Sequence, residues 1–163
     1  MNTVLDIETI PSDSEYALQE HADYCETKIA PPSNYKKQET IDKWMEENEP
    51  ALREKHRHSQ GLDASTGEII TIGWKCHDDP VTAIGRGNHS EGDLIQNFLD
   101  SIDKRKGQSS VLFVGHNVIK FDLPYIWRRA KILGVQVPAY LPPPAELKPW
   151  STNVCDTMIA GIY

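Results

Sequence analysis

Two carboxylates stand near the start of the chain, Asp6 and Glu8, inside the run Leu5-Asp6-Ile7-Glu8-Thr9. In an extended strand successive side chains point to opposite faces, so Val4, Asp6 and Glu8 share one face. The two acidic Cα atoms then lie ~6.6 Å apart, two strand rises. Two like charges on one face repel, and burying either without a partner costs several kcal/mol or raises its pKa. No lysine or arginine precedes Lys28 to compensate locally. A hard divalent cation resolves the conflict, because Mg²⁺ takes carboxylate oxygens at ~2.0–2.1 Å while keeping some of its waters. The alternative is a strand end that leaves both groups in water. A second group of polar residues lies in Gly115-His116-Asn117-Val118-Ile119-Lys120-Phe121-Asp122, where an apolar run passes through a loop into helical sequence. Asp122 by itself reads as a helix cap, since Asp is a preferred N-cap and Pro124 suits the first turn. Asp156, ahead of Thr157 and an apolar run, carries the same capping alternative.

The elements that must position these groups can be read from periodicity. Thr3 to Ile7 is a strand. Residues 12–66 then change character, with 12 acidic and 7 basic residues, few large aliphatics and a Pro31–Pro32 interruption. Glu39 to His58 has helical composition, with Ile41, Trp44, Met45 and Leu52 near one face. This stretch is expected to be a partly helical insertion rather than a separate domain, because it lacks the apolar content for its own core. Glu68 to Cys76 is β-branched and aromatic and reads as a strand, followed by a turn over His77–Pro80 and a second hairpin strand over Val81–Ile84. Leu94, Ile95, Phe98, Leu99 and Ile102 predict a helix from about Glu91 to Lys104. Val111–Val114 is a short buried strand, and Asp122–Leu133 a second amphipathic helix stopped by Gly134. Five prolines between 138 and 149 make an extended loop. Asn153 to Thr157 is a strand end entering a helix near the chain end. This order implies one α/β domain on a mixed sheet.

Composition narrows the function. The 163 residues suit a single domain. No apolar run approaches the ~20 residues of a membrane span, and the N-terminus lacks the basic start of a signal peptide. Cys25, Cys76 and Cys155 are odd in number and far apart, so a disulfide framework is not expected and a reducing, cytoplasmic setting is. A net charge of −7 disfavours coating nucleic acid by bulk charge, yet allows a local groove in which acidic groups hold metal.

Asp6-x-Glu8 on the first strand, followed by Asn117, three residues, Phe121 and Asp122 at a helix start, resembles the DEDD superfamily of 3′–5′ exonucleases. These have a DnaQ-like, ribonuclease H-like fold. The branch it is most similar to is that of predicted exonucleases related to the proofreading domain of family-B DNA polymerases. Leu5-Asp6-Ile7-Glu8-Thr9-Ile10-Pro11 carries that likeness, as do Pro32-Ser33-Asn34-Tyr35-Lys36, Gly61-Leu62-Asp63 and Ile69-Ile70-Thr71-Ile72-Gly73-Trp74. The resemblance implies an α/β, ribonuclease H-like mixed sheet flanked by helices, with the insertion between strands 1 and 2. It implies two Mg²⁺ or Mn²⁺ ions clamping a scissile phosphate. Asp6 would bridge both, Glu8 would help hold the ion carrying the attacking water, and Asp122 would hold the second. Thr9, Ile10, Asn117 and Phe121 would lie against the terminal nucleotide. The implied substrate is the 3′ end of single-stranded DNA, with RNA as the enzyme alternative and a replication or repair protein as a further partner. An alternative of another class is a non-catalytic nucleic-acid-binding or protein-interaction module.

The family pattern also has a third acidic motif on a late helix, and Asp156-Thr157-Met158 resembles instead the Asp-Thr step that commonly precedes it. The chain is therefore expected to lack that motif, to be C-terminally incomplete as a domain, and to have little activity alone. Arg128 and Arg129 are candidates for phosphate contacts beside the site, as is Lys104-Arg105-Lys106, which equally suits a helix C-terminus. Tyr125 and Trp127 are expected in the core rather than stacked on bases. No histidine or cysteine grouping has zinc-ligand spacing.

Overall fold

The computed structural model describes residues 1–107 and 109–161. Five strands form one mixed sheet: β1 (Asn2–Pro11), β2 (Gly67–Cys76), β3 (Thr82–Gly85), β4 (Leu112–Gly115) and β5 (Val154–Asp156), in the order β3-β2-β1-β4-β5. β2 and β3 form the antiparallel hairpin expected from the sequence, with Ile72 opposite Ile84. β1 is parallel to β4, and β4 to β5. Alongside β1, the His77 N–H bonds the Asn2 carbonyl while Gly73 faces the Asp6 carbonyl, so β2 runs antiparallel to it. This is the α/β sheet with flanking helices that the resemblance implied.

The chain divides into two compact units, one of Met1–Thr9 with Ile69–Tyr163 and one of Ile10–Glu68. In the first, β1 alternates as its sequence requires: Thr3, Leu5 and Ile7 are buried, and Val4, Asp6 and Glu8 are exposed. Helix α3 (Glu91–Lys106) buries the expected stripe of Leu94, Ile95, Phe98, Leu99 and Ile102. A capping box fixes its start, the Ser90 hydroxyl accepting from the Asp93 N–H and the Asp93 carboxylate from the Ser90 N–H. Trp74 of β2 packs edge-on to Phe98 with ring centroids 5.5 Å apart, and its indole N–H donates to Ser101 at 2.8 Å. Helix α4 (Asp122–Ile132) packs against α3. The proline-rich loop holds turns closed by the Leu141 N–H on the Pro138 carbonyl and the Ser151 N–H on the Lys148 carbonyl, with a 3₁₀ turn at Pro144–Glu146 between them, and α5 (Thr157–Ala160) follows β5 directly.

The second unit holds α1 (Glu15–Thr27) and α2 (Gln38–Gln60), packed on each other. This is the stretch the sequence reads as a partly helical insertion, and its two helices lie in this unit. Its interior combines the apolar residues Ala17, Cys25, Ile29 and Ala64 with buried Gln60. Gln60 donates to the Ala17 carbonyl and the Glu20 carboxylate, both at 2.8 Å. His56 stacks on Tyr24 at 3.7 Å and meets His21 through a 2.9 Å Nδ1···Nδ1 hydrogen bond. Polar bonding and ring stacking thus do what aliphatic burial does elsewhere, a route that apolar content does not register. Among the described residues no helix is long and apolar enough to cross a membrane.

Candidate active site

β4 is shorter than its neighbour β1, and that difference builds the site. The parallel register pairs Asn2 with Leu112, Thr3 with Phe113 and Val4 with Val114. After Gly115 the chain leaves the sheet while β1 continues through Asp6, Ile7 and Glu8. The Ile7 N–H then has no β4 strand partner, and the Asp122 carboxylate accepts it at 3.1 Å. Asp122 is therefore brought to the segment between Asp6 and Glu8, as the motif order implied.

This overturns the capping expectation for Asp122. Phe121 is the N-cap of α4 and makes no side-chain cap bond; Asp122 is the first helical residue and its carboxylate goes to β1. The side chain is 3% exposed. Burial pushes its pKa up to about 6, and the charges of Asp6 and Asp156 push in the same direction, against hydrogen bonds from its own backbone and from Ile7. Asp6 and Glu8 stay exposed on the opposite side of β1 from Leu5 and Ile7.

The connecting loop is tightly constrained. Gly115 is required by space, since a Cβ there would sit 3.0 Å from the Leu5 carbonyl oxygen and 3.0 Å from the Val118 Cβ. Asn117 has φ +59°, the left-handed region that Asn tolerates better than most residues. Its carbonyl accepts from Lys120 and Phe121, turning the chain into α4. Asp156 does cap α5, accepting from the Met158 N–H at 3.0 Å, and also accepts from Asn117 at 2.9 Å and Ile119 at 3.1 Å.

The remaining candidates separate. Thr9 is half-buried on β1 and Ile10 is 38% exposed. Phe121 is half-buried and lies against the buried ring of Tyr125, centroids 5.4 Å apart. Arg128 is exposed on α4. Arg129 does not reach outward: it is 7% exposed and makes a bidentate pair with the buried Glu91, at 2.8 and 2.6 Å. The same carboxylate accepts the Ile69 N–H at 2.8 Å. Arg129 thus ties α4, α3 and β2 together, and its expected phosphate contact gives way to that pair. Lys104, Arg105 and Lys106 end α3, with Arg105 bonded to Asp79 and to the Ser101 carbonyl. Trp127 is half-buried with Lys131 over its ring. The contribution of Asp156 to the loop was not foreseen; the signal was available in an Asp placed next to a strand end that faces a turn-forming Asn.

Among the described residues no three His, Cys, Asp or Glu side chains are grouped closely enough to form a ready metal cage. The donor chemistry nevertheless fits a hard cation: Asp6 and Glu8 offer exposed carboxylate oxygens, and Asp122 is a buried carboxylate whose electrostatic neighbours are themselves carboxylates.

Residues 67–155, more than half of the chain, match the family described as predicted 3′–5′ exonuclease related to the exonuclease domain of PolB. The matched span contains Asn117, Phe121 and Asp122; Asp6 and Glu8 precede it. No curated protein matches. Among solved structures, the family B DNA polymerase from the hyperthermophilic archaeon Pyrobaculum calidifontis is similar at 18% identity and a TM-score of 0.45. The similarity covers 87% of this chain and 12% of that one, so the chain spans a small part of the polymerase's length. The chain belongs to the family of predicted 3′–5′ exonucleases related to the PolB exonuclease domain.

Proposed function

We propose that the protein hydrolyses phosphodiester bonds from the 3′ end of single-stranded DNA, with Asp6, Glu8 and Asp122 as the residues that hold Mg²⁺ or Mn²⁺. The observation that carries this reading is the Asp122–Ile7 hydrogen bond, which delivers a buried carboxylate from α4 to the β1 segment bearing Asp6 and Glu8. Structural need alone does not account for that choice. A buried carboxylate repelled by neighbouring carboxylates costs stability, and it is the kind of perturbed group that marks functional sites.

A bound divalent cation supplies charge neutralisation and Lewis-acid polarisation at a phosphate. The chain's own residues supply the rest. Asp6 and Glu8 present oxygens to solvent on a rigid strand, so they need no rearrangement to meet a ligand. Asp122 is held in orientation by the Ile7 N–H. Asn117 and Phe121 on the loop, with Thr9 beside Glu8, form the ground on which a terminal nucleotide would rest. A replication or repair protein would supply the substrate end.

The test is the purified chain with Mg²⁺ or Mn²⁺ and 3′-labelled single strands of DNA and RNA in parallel. Slow release of labelled nucleotide from DNA, abolished by Asp6→Ala, is expected, in keeping with the little activity expected where the third acidic motif is lacking. Preference for the RNA strand would reassign the substrate, and absence of release from both strands at every metal concentration would overturn the reading.

A further inference from the structure

We infer that Asp156, with Thr157, is the positioning element of the active-site loop: it sets the left-handed turn at Asn117 and, through it, the placement of Asp122 on β1. The inference deepens the exonuclease reading and rests on it only for the metal-binding arm of the test below.

Asp156 is 5% exposed. One of its oxygens accepts from the N–H groups of Asn117 and Met158, and the other from that of Ile119. Two of those three donors belong to the loop after β4, and only one to the helix that Asp156 caps. A cap alone needs the Met158 bond; the other two have no capping purpose. Thr157 adds to the same loop. Its hydroxyl donates to the Gly115 carbonyl at 3.2 Å and lies 3.3 Å from Nδ1 of His116. Two consecutive residues of the β5–α5 junction thereby hold Gly115, His116, Asn117 and Ile119.

The topology explains why such an anchor is required. β4 lies between β1 and β5, with Gly115 opposite Asp156. Once β4 ends, its backbone N–H groups have no strand to pair with, and buried amides must find acceptors. Asp156 supplies them from the β5 side. On the β1 side the polarity reverses: the loop's own carboxylate, Asp122, accepts from Ile7. The loop is thus pinned at both ends by carboxylate–amide bonds, and the short span between them includes a non-glycine residue at φ +59°. Left-handed backbone at such a residue persists only where its surroundings over-determine it. The Asn117 N–H bond to Asp156 is the contact placed to do so. Asp156 need touch neither metal nor nucleotide to matter; such supporting residues change metal affinity by 10–100-fold through the ligand they orient.

The test uses the full chain carrying Asp156→Asn, which keeps the shape but replaces one acceptor oxygen with a donor, and separately Thr157→Val. Amide hydrogen exchange is read residue by residue, and Mn²⁺ binding is read by calorimetry. Expected for Asp156→Asn is at least tenfold faster exchange at Asn117, Ile119 and Ile7, with Leu5 and Phe113 unchanged, together with Mn²⁺ binding weakened by 10–100-fold. Thr157→Val is expected to loosen the same amides less. Faster exchange at Asn117 and Ile119 with Ile7 unaffected would overturn the inference, since Asp156 would then act only locally. Uniformly faster exchange across the sheet would overturn it as well, marking a general structural role; if Asp156→Asn does not fold, Thr157→Val decides by the same criteria. A wild-type chain that binds no Mn²⁺ would refute the proposed function, while the exchange pattern would still decide the role of Asp156.

Discussion

Replacing Asp122 with Asn should make the metal-free protein more stable, although it removes a hydrogen-bonded side chain from the core of the candidate site. In the folded state the carboxyl titrates at about 6 rather than 3.8, chiefly because burial disfavours the charged form and Asp6 and Asp156 repel it. The difference between about 6 and 3.8 corresponds to about 3 kcal/mol. The folded protein holds this proton to higher pH than the unfolded chain does. The favourable contribution is therefore complete below pH ~3.8 and lost as pH rises through about 6; above that, ionised Asp122 opposes folding. Asn carries no charge to desolvate, and its side-chain oxygen still accepts from the Ile7 N–H. The variant should match wild type near pH 4 and exceed it by roughly 1–3 kcal/mol at pH 8. The lower figure allows for relaxation of water toward the site.

The assay is native-state exchange of the Leu5 and Phe113 amides at pH values from 4 to 8 with chelator present, which reads the sheet and leaves Ile10–Glu68 out of the measurement. A difference that is flat with pH, or a variant less stable at pH 8, would refute the electrostatic account. Excess Mg²⁺ should then invert the order. A ligand at 1,000 times its dissociation constant adds about 4.1 kcal/mol to a protein that binds it, more than the roughly 1–3 kcal/mol to be overcome, and the Asn variant has lost one of the oxygens expected to bind.

Three further outcomes follow from the geometry. Glu91→Gln leaves Arg129 buried with its charge no longer matched, so urea denaturation should show a loss of about 3–5 kcal/mol, with Glu91→Gln/Arg129→Met costing less than the sum of the two single changes. Gly115→Ala drives a methyl against the Leu5 carbonyl and the Val118 side chain, both 3.0 Å away, and should lower stability by roughly 1–3 kcal/mol in the same assay. His21 is held below its usual pKa of 6.5 by burial, then by His56, Arg57 and Arg53, with Glu20 opposing. Its contribution is present above pH 6.5 and lost as pH falls through its lower folded value, so the protection of α1 and α2 amides relative to their intrinsic exchange should fall on acidification. Protection factors that do not change between pH 7.5 and 5 would contradict this.

The parts of the fold legible in the sequence are those whose burial is periodic. β1 alternates, α3 repeats Leu94, Ile95, Phe98, Leu99 and Ile102, and the hairpin is β-branched on either side of a turn; each took the expected place within a few residues. α1 was not separately legible because only Ala17 and Cys25 of its thirteen residues are buried, and it packs through histidine and glutamine contacts that no hydropathy pattern carries. At the site, the motif spacing brought Asp122 toward Asp6 and Glu8, but local preference misassigned what its carboxylate does. Asp as an N-cap is a statement about one helix. The bond to Ile7 depends on β4 ending before β1, which is a difference between two strands 100 residues apart. Arg129 failed for a related reason: a basic residue beside a motif looks free until Glu91, thirty-eight residues earlier, is folded against it.

Two buried carboxylates sit on these same elements and show what separates structure from function. Glu91 has a guanidinium in bidentate contact and a backbone N–H besides, so its charge is matched and its position costs little. Asp122 has backbone donors only, from Ile7 and its own N–H, and burial above all, with the charges of Asp6 and Asp156, drives its pKa up to about 6. A protein selected only to fold would gain from Asn at that position. The unfavourable carboxylate, the left-handed Asn117 and the glycine at which a methyl would be crowded all fall within eight residues of one another, at the end of β4. Local rules are broken together at this place, and such concentration is expected where a site is held ready for a ligand. A cation between Asp6, Glu8 and Asp122 would convert the repulsion into binding energy, which is why the stability order of wild type and Asp122→Asn should depend on whether Mg²⁺ is present.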